Sequence, residues 1–217
     1  MPERVLETST FRRMPWKNGG GVTTEITAER DPGSDDFDFA WRVSLAEMRA
    51  SGPFSRFPGF DRLIMQLDGP PMELTHPGTP RPTVRLDPYR PYAFAGDWDT
   101  VAQLSLPDPG KDSAPAHDFN LIVRRDRAAG ALAAFTPEEL HAGDYLTRLA
   151  PERPESDVRV LLYAHAGSFT VGDHRISEGA AYLWSGRGRP RVPPVTGSGS
   201  ARIVTALISL PPTARPA

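Results

Sequence analysis

The stretch "DFAWRVSLAEM", Asp38 to Met48, sets the terms for the whole chain. Trp41, Val43 and Leu45 fall on one side and Arg42, Ser44 and Ala46 on the other, the period-two pattern of a β-strand. Upstream, "GVTTEITAE" (Gly21 to Glu29) alternates in the same way and is rich in β-branched residues. Downstream follow "RLIMQLDG", "PMELTH", "PTVRLD", "PYAFAG", "DTVAQLSL", "DFNLIVRR", "VRVLLYAHAG", "SFTVGD", "AAYLWSG" and "ARIVTALISL". With 24 Pro and 19 Gly spaced as punctuation between these runs, many short strands and tight turns are expected. The best helical candidate is "TPEELHAG", with Thr136 as N-cap, Pro137 in the first turn, two acids near the positive end and Gly143 as the stop.

The fold class predicted is therefore all-β with at most short helices, arranged as a barrel or a pair of sandwiches. A weak internal echo predicts two lobes. "LIMQLDGPPMEL" and "VLLYAHAGSFTV" both read as strand, Gly turn, strand, and each is followed by a short strand and an aromatic one. The boundaries drawn are residues 1–125 for a first lobe and 126–217 for a second, closely packed and able to share strands. The loop "DPGSDD", the segment Pro107 to Ala116, "GRGRPRVPPVTGSGS" and the tail "PPTARPA" are expected to be mobile.

Composition removes several function classes. A formal charge of −2 over 217 residues offers no basic field for nucleic acid or anionic lipid. The chain has no cysteine, so disulfides and thiolate chemistry are excluded. No apolar run approaches the roughly 18 residues needed to span a bilayer, and "MPERVLETST" lacks the apolar centre of a signal peptide. A cytoplasmic location is the expectation. None of His76, His117, His141, His165 and His174 forms a His-x-His pair, and surface or capped roles are expected for each. No metal and no cofactor are predicted. "NGGGVTTE" matches neither nucleotide fingerprint, and Ser44 and Ser55 lack a nucleophile elbow.

What remains is a set of polar residues on apolar strands. Arg42 and Ser44 share a face, Glu25 lies with Thr23 and Thr27, Arg62 opens an apolar strand, and Asp118, Asn120 and Arg124 share one side of "DFNLIVRR". A charge pointing into a barrel is expensive unless paired. Either these ions neutralise one another and fix strand order, or they contact a ligand. The small residues Ser44, Ala46 and Gly19 to Gly21 would leave room for one, and an excess of Arg and Lys would favour a carboxylate.

"MPWKNGGGVTTEI", "FAWRVSLAEM", "SGPFSRFPGFDR", "FAGD" and "DFNLIVRR", in this order, resemble the HutD/Ves family. The resemblance implies a cupin-like, double-lobed (bicupin) β-barrel. It also implies an association with histidine utilisation, in which such a protein binds a pathway intermediate such as formylglutamate or urocanate and moderates flux. The family's motif positions here include Trp16, Lys17, Asn18, Glu25, Arg42, Ser44, Arg62, Asp118, Asn120 and Arg124. In one reading the glycines fold the Trp16-Lys17-Asn18 corner over the barrel mouth. In the other they only shape a bend, with Trp16 as a core plug.

The expected function is binding of a small anionic metabolite by Trp16, Lys17, Asn18, Glu25, Arg42, Ser44, Arg62, Asn120 and Arg124. The alternative is a metal-independent enzyme with Glu25 as general base and Lys17 as acid or electrophile. A third reading is an interaction protein with an exposed patch around the Trp residues of "GDWDT" and "YLWSG". A homodimer through exposed barrel edges is also an expectation.

Overall fold

A computed structural model of the chain describes residues 3–33, 35, 38–105, 114–142, 146 and 155–211. The chain divides into two compact units, Phe11–Asp126 and Met1–Thr10 with Arg127–Ala217. The sequence boundary put residues 1–10 in the first lobe. They belong with the second unit because the first strand, β1 (Glu3–Leu6), pairs antiparallel with a strand at Ala181–Arg187.

The 11–126 unit contains ten strands among the described residues: β2 (Arg12–Pro15), β3 (Gly21–Glu29), β4 (Trp41–Met48), β5 (Gly52–Pro53), β6 (Phe60–Asp68), β7 (Met72–Thr75), β8 (Thr83–Leu86), β9 (Tyr92–Ala95), β10 (Val101–Leu104) and β11 (Ala116–Arg124). They form a six-stranded sheet in the order β2-β3-β4-β11-β6-β9 and a four-stranded sheet in the order β5-β10-β7-β8. Met48, Ile64, Tyr92, Phe94 and Ala116 of the larger sheet share one apolar cluster with Met72, Leu74, Leu86, Ala102 and Leu104 of the smaller. Burial of that shared interior holds the two sheets face to face.

The other unit adds β12 (Ala129–Phe135), α1 (Pro137–Ala142), β13 (Asp157–Ala166), β14 (Phe169–Val171), β15 (His174–Ile176), β16 (Ala181–Arg187), β17 (Val195–Gly197) and β18 (Arg202–Leu210) to β1. Its sheets run β1-β16-β13-β18-β12 and β15-β14-β17. The internal echo has a topological basis. In each unit a long strand (β6, β13) turns at a positive-φ glycine (Gly69, Gly167) into a short strand of the smaller sheet (β7, β14). Each long strand also pairs with the strand two positions beyond its hairpin and with a late strand of its unit. The chain is thus mostly β, as expected. The expected barrel closure is not present: among the described residues no ladder joins the two sheets of either unit.

The helix α1 starts as its residues dictate. Glu139 N–H donates to Thr136 Oγ1 at 3.2 Å and Thr136 N–H to a Glu139 carboxylate oxygen at 2.7 Å, a reciprocal capping box. Gly143, Lys111 and tail residues 212–217 lie outside the described residues. Residues 195–197, inside a stretch expected to be a mobile loop, instead form β17 against β14. No helix is long and apolar enough to cross a membrane among the described residues.

The triple glycine has a local cause. Trp16 N–H donates to the Gly21 carbonyl at 2.9 Å and Gly19 N–H to the Trp16 carbonyl at 3.0 Å, closing the β2–β3 turn. Gly19 has a φ of 70°, which suits glycine. A Cβ on Gly21 would lie 2.4 Å from the Glu47 carbonyl oxygen and 3.0 Å from the Trp16 ring. Gly21→Ala is therefore expected to cost roughly 1–3 kcal/mol. Gly20→Ala, whose Cβ meets only the Asn18 side chain at 3.3 Å, should cost much less. Urea midpoints of the two variants check this; equal midpoints would contradict it.

Candidate functional site

Reading the ladders of the larger sheet crosswise puts three rows on one face: Ala28, Arg42, Ile122, Arg62, Phe94; Glu25, Ser44, Asn120, Ile64, Tyr92; and Thr23, Ala46, Asp118, Gln66. This face carries Ile64, Tyr92 and Phe94 into the cluster shared with the smaller sheet, so the polar members of the rows enter the unit's interior. Arg42, Ser44, Arg62, Asp118 and Asn120 are all buried there.

Arg62 is the centre of the group. It donates from one terminal nitrogen to Asn120 Oδ1 at 3.1 Å and from the other to the Ser55 carbonyl at 3.3 Å. Asn120 Nδ2 in turn donates to Asp118 Oδ1, so the guanidinium reaches the carboxyl only through an amide. Three rings flank Arg62: Phe54 at 4.8 Å, Phe94 at 5.1 Å and Phe57 at 5.7 Å from its guanidinium carbon. The Arg42 guanidinium lies over Phe39 and Phe57, at 4.9 and 5.2 Å, and Phe57 is therefore common to both arginines. Ring faces supply part of the electrostatic stabilisation that water would otherwise give.

The electrostatics of this group follow from its dryness. Burial lowers the Arg62 pKa to about 10, with Asp118 acting in the opposite direction and Arg42 in the same one. Burial also pushes the Asp118 carboxyl up to about 7, against the pull of Arg62, the Asn120 hydrogen bond and His117.

The remaining expected site residues are placed elsewhere. Glu25 is buried, and both its oxygens accept from Arg30, at 2.9 and 2.6 Å. The β-bulge between Glu25 and Thr27 breaks the simple alternation from which its neighbours were inferred. Lys17 and Asn18 are exposed on the turn, and Asn18 Oδ1 caps Gly20 N–H at 3.0 Å; they do not join the buried group. Trp16 is half-buried against the apolar cluster and donates to Thr23 Oγ1 at 2.8 Å. Arg124 pairs with Asp38 and sits over Phe60 at 4.9 Å, beside an open hollow of about 290 Å³. The proposed Trp patch does not form around Trp184, which is buried in its own unit, and Trp98 packs on the 11–126 cluster.

Sequence reasoning passed over His76, Tyr92 and the aromatic wall. His76, expected in a surface or capped role, is fully buried, with its Nδ1 2.9 Å from Thr100 Oγ1. Phe54, Phe57 and Phe60 recur at every third position between β5 and the start of β6, a spacing visible in the sequence. Among the described residues no three His, Asp or Glu side chains are grouped so as to hold a metal ion.

A model of the HutD family matches residues 8–193 of this chain. The chain belongs to the HutD family. It is 38% identical over 133 residues to an uncharacterised 21.2 kDa protein from the region 3′ of hutC in Pseudomonas putida, an alignment covering 61% of this chain and 64% of that protein. It is 36% identical over 125 residues to protein Ves of Cronobacter sakazakii, covering 56% and 62%. The chain thus spans less than two thirds of the length of these curated relatives. The structure of HutD from Pseudomonas fluorescens SBW25, in its formate condition, superposes with a TM-score of 0.64 at 28% identity, covering 96% of this chain and 97% of that one. In this HutD-family chain the matched region contains every residue of the three rows.

Proposed function

We propose that this HutD-family protein is a small-molecule-binding protein whose 11–126 unit takes up a polar carboxylate metabolite, formylglutamate- or urocanate-like, and that occupancy moderates histidine utilisation. Its two units are read as a cupin-like pair, with the ligand between the sheets of the first. The observation that carries the proposal is Arg62. This guanidinium is buried, makes its hydrogen bonds to neutral acceptors, and has an Nε with no hydrogen-bond partner among the described residues. A desolvated cation so placed is stabilised by an anion that brings two oxygens to its fork.

In this reading Arg62 and Arg42 take the carboxylate, Asn120 and Ser44 orient it, and the half-buried Trp16 lies toward the rim. Lys17 and Asn18, exposed on the turn, act on approach rather than in the bound state, and the half-buried Arg124, paired with Asp38, stands outside the bound group. Glu25 serves architecture through Arg30. The enzymatic alternative loses its base by the same contact, because both Glu25 oxygens are engaged and Lys17 stands outside the group.

Thermal denaturation with a panel of small acids tests the proposal. An acid present at about 100 times its dissociation constant should add about 2.7 kcal/mol of stability. Formylglutamate and urocanate should raise the melting temperature while the matched uncharged amides do not. A panel in which no acid shifts the transition at millimolar concentration would overturn the reading.

A further inference from the structure

Among the buried polar atoms of the 11–126 unit that make no hydrogen bond within the described residues, four stand out: Arg62 Nε, Asp118 Oδ2, His76 Nε2 and Tyr92 Oη. Folded interiors leave few such atoms, and a cluster of them signals an occupant. The first two belong to the guanidinium–amide–carboxyl chain. The other two are at a different place, where β7 ends and β9 begins.

His76 follows β7 directly, and its ring lies 5.0 Å from that of Phe94, 5.2 Å from Trp98 and 5.7 Å from Tyr92. Its Nδ1 is 2.9 Å from Thr100 Oγ1, while the Thr100 hydroxyl donates to the Trp98 carbonyl at 3.4 Å. A hydroxyl has one hydrogen to give. With that hydrogen directed to Trp98, the arrangement favours the tautomer in which Thr100 accepts from His76 Nδ1–H and Nε2 is a bare acceptor. Burial, and then the charge of Arg62, lower the His76 pKa, so the imidazole stays neutral and the lone pair stays available. Tyr92 stacks on Phe94 at 5.7 Å and shares its row with Asn120 and Ser44.

Phe94 links the two places. The Arg62 guanidinium carbon lies 5.1 Å from its ring centre and the His76 ring centre 5.0 Å, so at most the sum of these distances separates cation from imidazole. That separation is within the length of one small molecule. We infer that His76 Nε2 and the Tyr92 hydroxyl form a second polar subsite that reads an N–H of the ligand, so that the acid held at Arg62 is an amido or azole acid rather than a plain mono- or dicarboxylate. The inference rests on the carboxylate reading of Arg62. The flat walls of Phe94 and Trp98 suit a planar amide or five-membered ring, and a buried acceptor discriminates strongly against a ligand that leaves it unpaired.

Two matched pairs of probes test it by calorimetric titration of the full chain. Urocanate is compared with 3-(furan-3-yl)acrylate, which has the same acid and ring size but no N–H. N-formylglutamate is compared with 2-formyloxyglutarate, in which an ester oxygen replaces the amide N–H. In at least one pair the N–H compound should bind about tenfold tighter or more. In His76→Gln, whose amide can turn to donate or accept, that preference should fall to about twofold or less. Tyr92→Phe keeps the stacked ring and should weaken the N–H compound severalfold. Binding that requires Arg62 but shows equal affinities within both pairs would overturn the subsite and leave buried water only beside His76. Failure of all four probes to bind would overturn the carboxylate reading itself, and this inference with it.

Discussion

At pH 8.5 the Asp118→Asn variant is expected to be more stable than the parent by about 4 kcal/mol, and at pH 4 to be nearly equal to it. The folded Asp118 carboxyl titrates at about 7 because burial outweighs Arg62, Asn120 and His117, whereas an unfolded aspartate titrates near about 4. Between those values the folded chain holds a proton that the unfolded chain has lost. Stability from this group therefore falls as pH rises through the window and levels off above it, about 1.4 kcal/mol per unit. Asparagine copies the protonated carboxyl: its Oδ1 still accepts from Asn120, and it carries no charge to desolvate. His76 acts in the opposite direction. Its folded pKa is lowered, so its contribution is present above the unfolded value of about 6.5 and is lost as pH falls through the folded one. That contribution is common to both chains and cancels in the difference. Urea denaturation of the pair from pH 4 to 9 checks the result; parallel profiles would show that Asp118 is ionised in the fold throughout.

Arg62→Gln should weaken carboxylate binding by about 100-fold or more, corresponding to roughly 3 kcal/mol for loss of a desolvated charge partner. Glutamine retains a donor for Asn120 but has neither the charge nor the fork. The fold should survive, because the removed cation was itself costly to bury and Asp118, without Arg62 nearby, stays protonated. Titration calorimetry with the best acid of the panel measures the loss, and circular dichroism confirms the sheet content. Undiminished affinity would place the acid somewhere other than the three rows.

The strands that position this group were legible because their alternation is strict. Gly21 to Glu29 was bounded correctly, and the Arg42, Ser44, Ala46 face was assigned from period alone. Asp118 and Asn120 came out on one side of their strand for the same reason. β12 was missed because "AGALAAF" has low strand propensity; its ladder to β18 decides its conformation. The Glu25–Arg30 pair was hidden by the bulge next to Glu25. Lys17 and Asn18 looked inward-facing by motif, yet the Asn18 side chain closes its own turn on Gly20. His76 continues the inward alternation of Met72 and Leu74 one residue past β7, but nothing local shows that Tyr92, Phe94 and Trp98 from later segments enclose it.

The central claim is that a carboxylate occupies the interior beside Arg62, and the Arg62 Nε–H resonance reports on it directly. In nitrogen-15-labelled protein, titration with formylglutamate or urocanate should move that resonance downfield and slow its exchange with water, and the signal should be missing from Arg62→Gln. An Arg62 Nε–H that stays unmoved while the same acid saturates the protein would contradict the account.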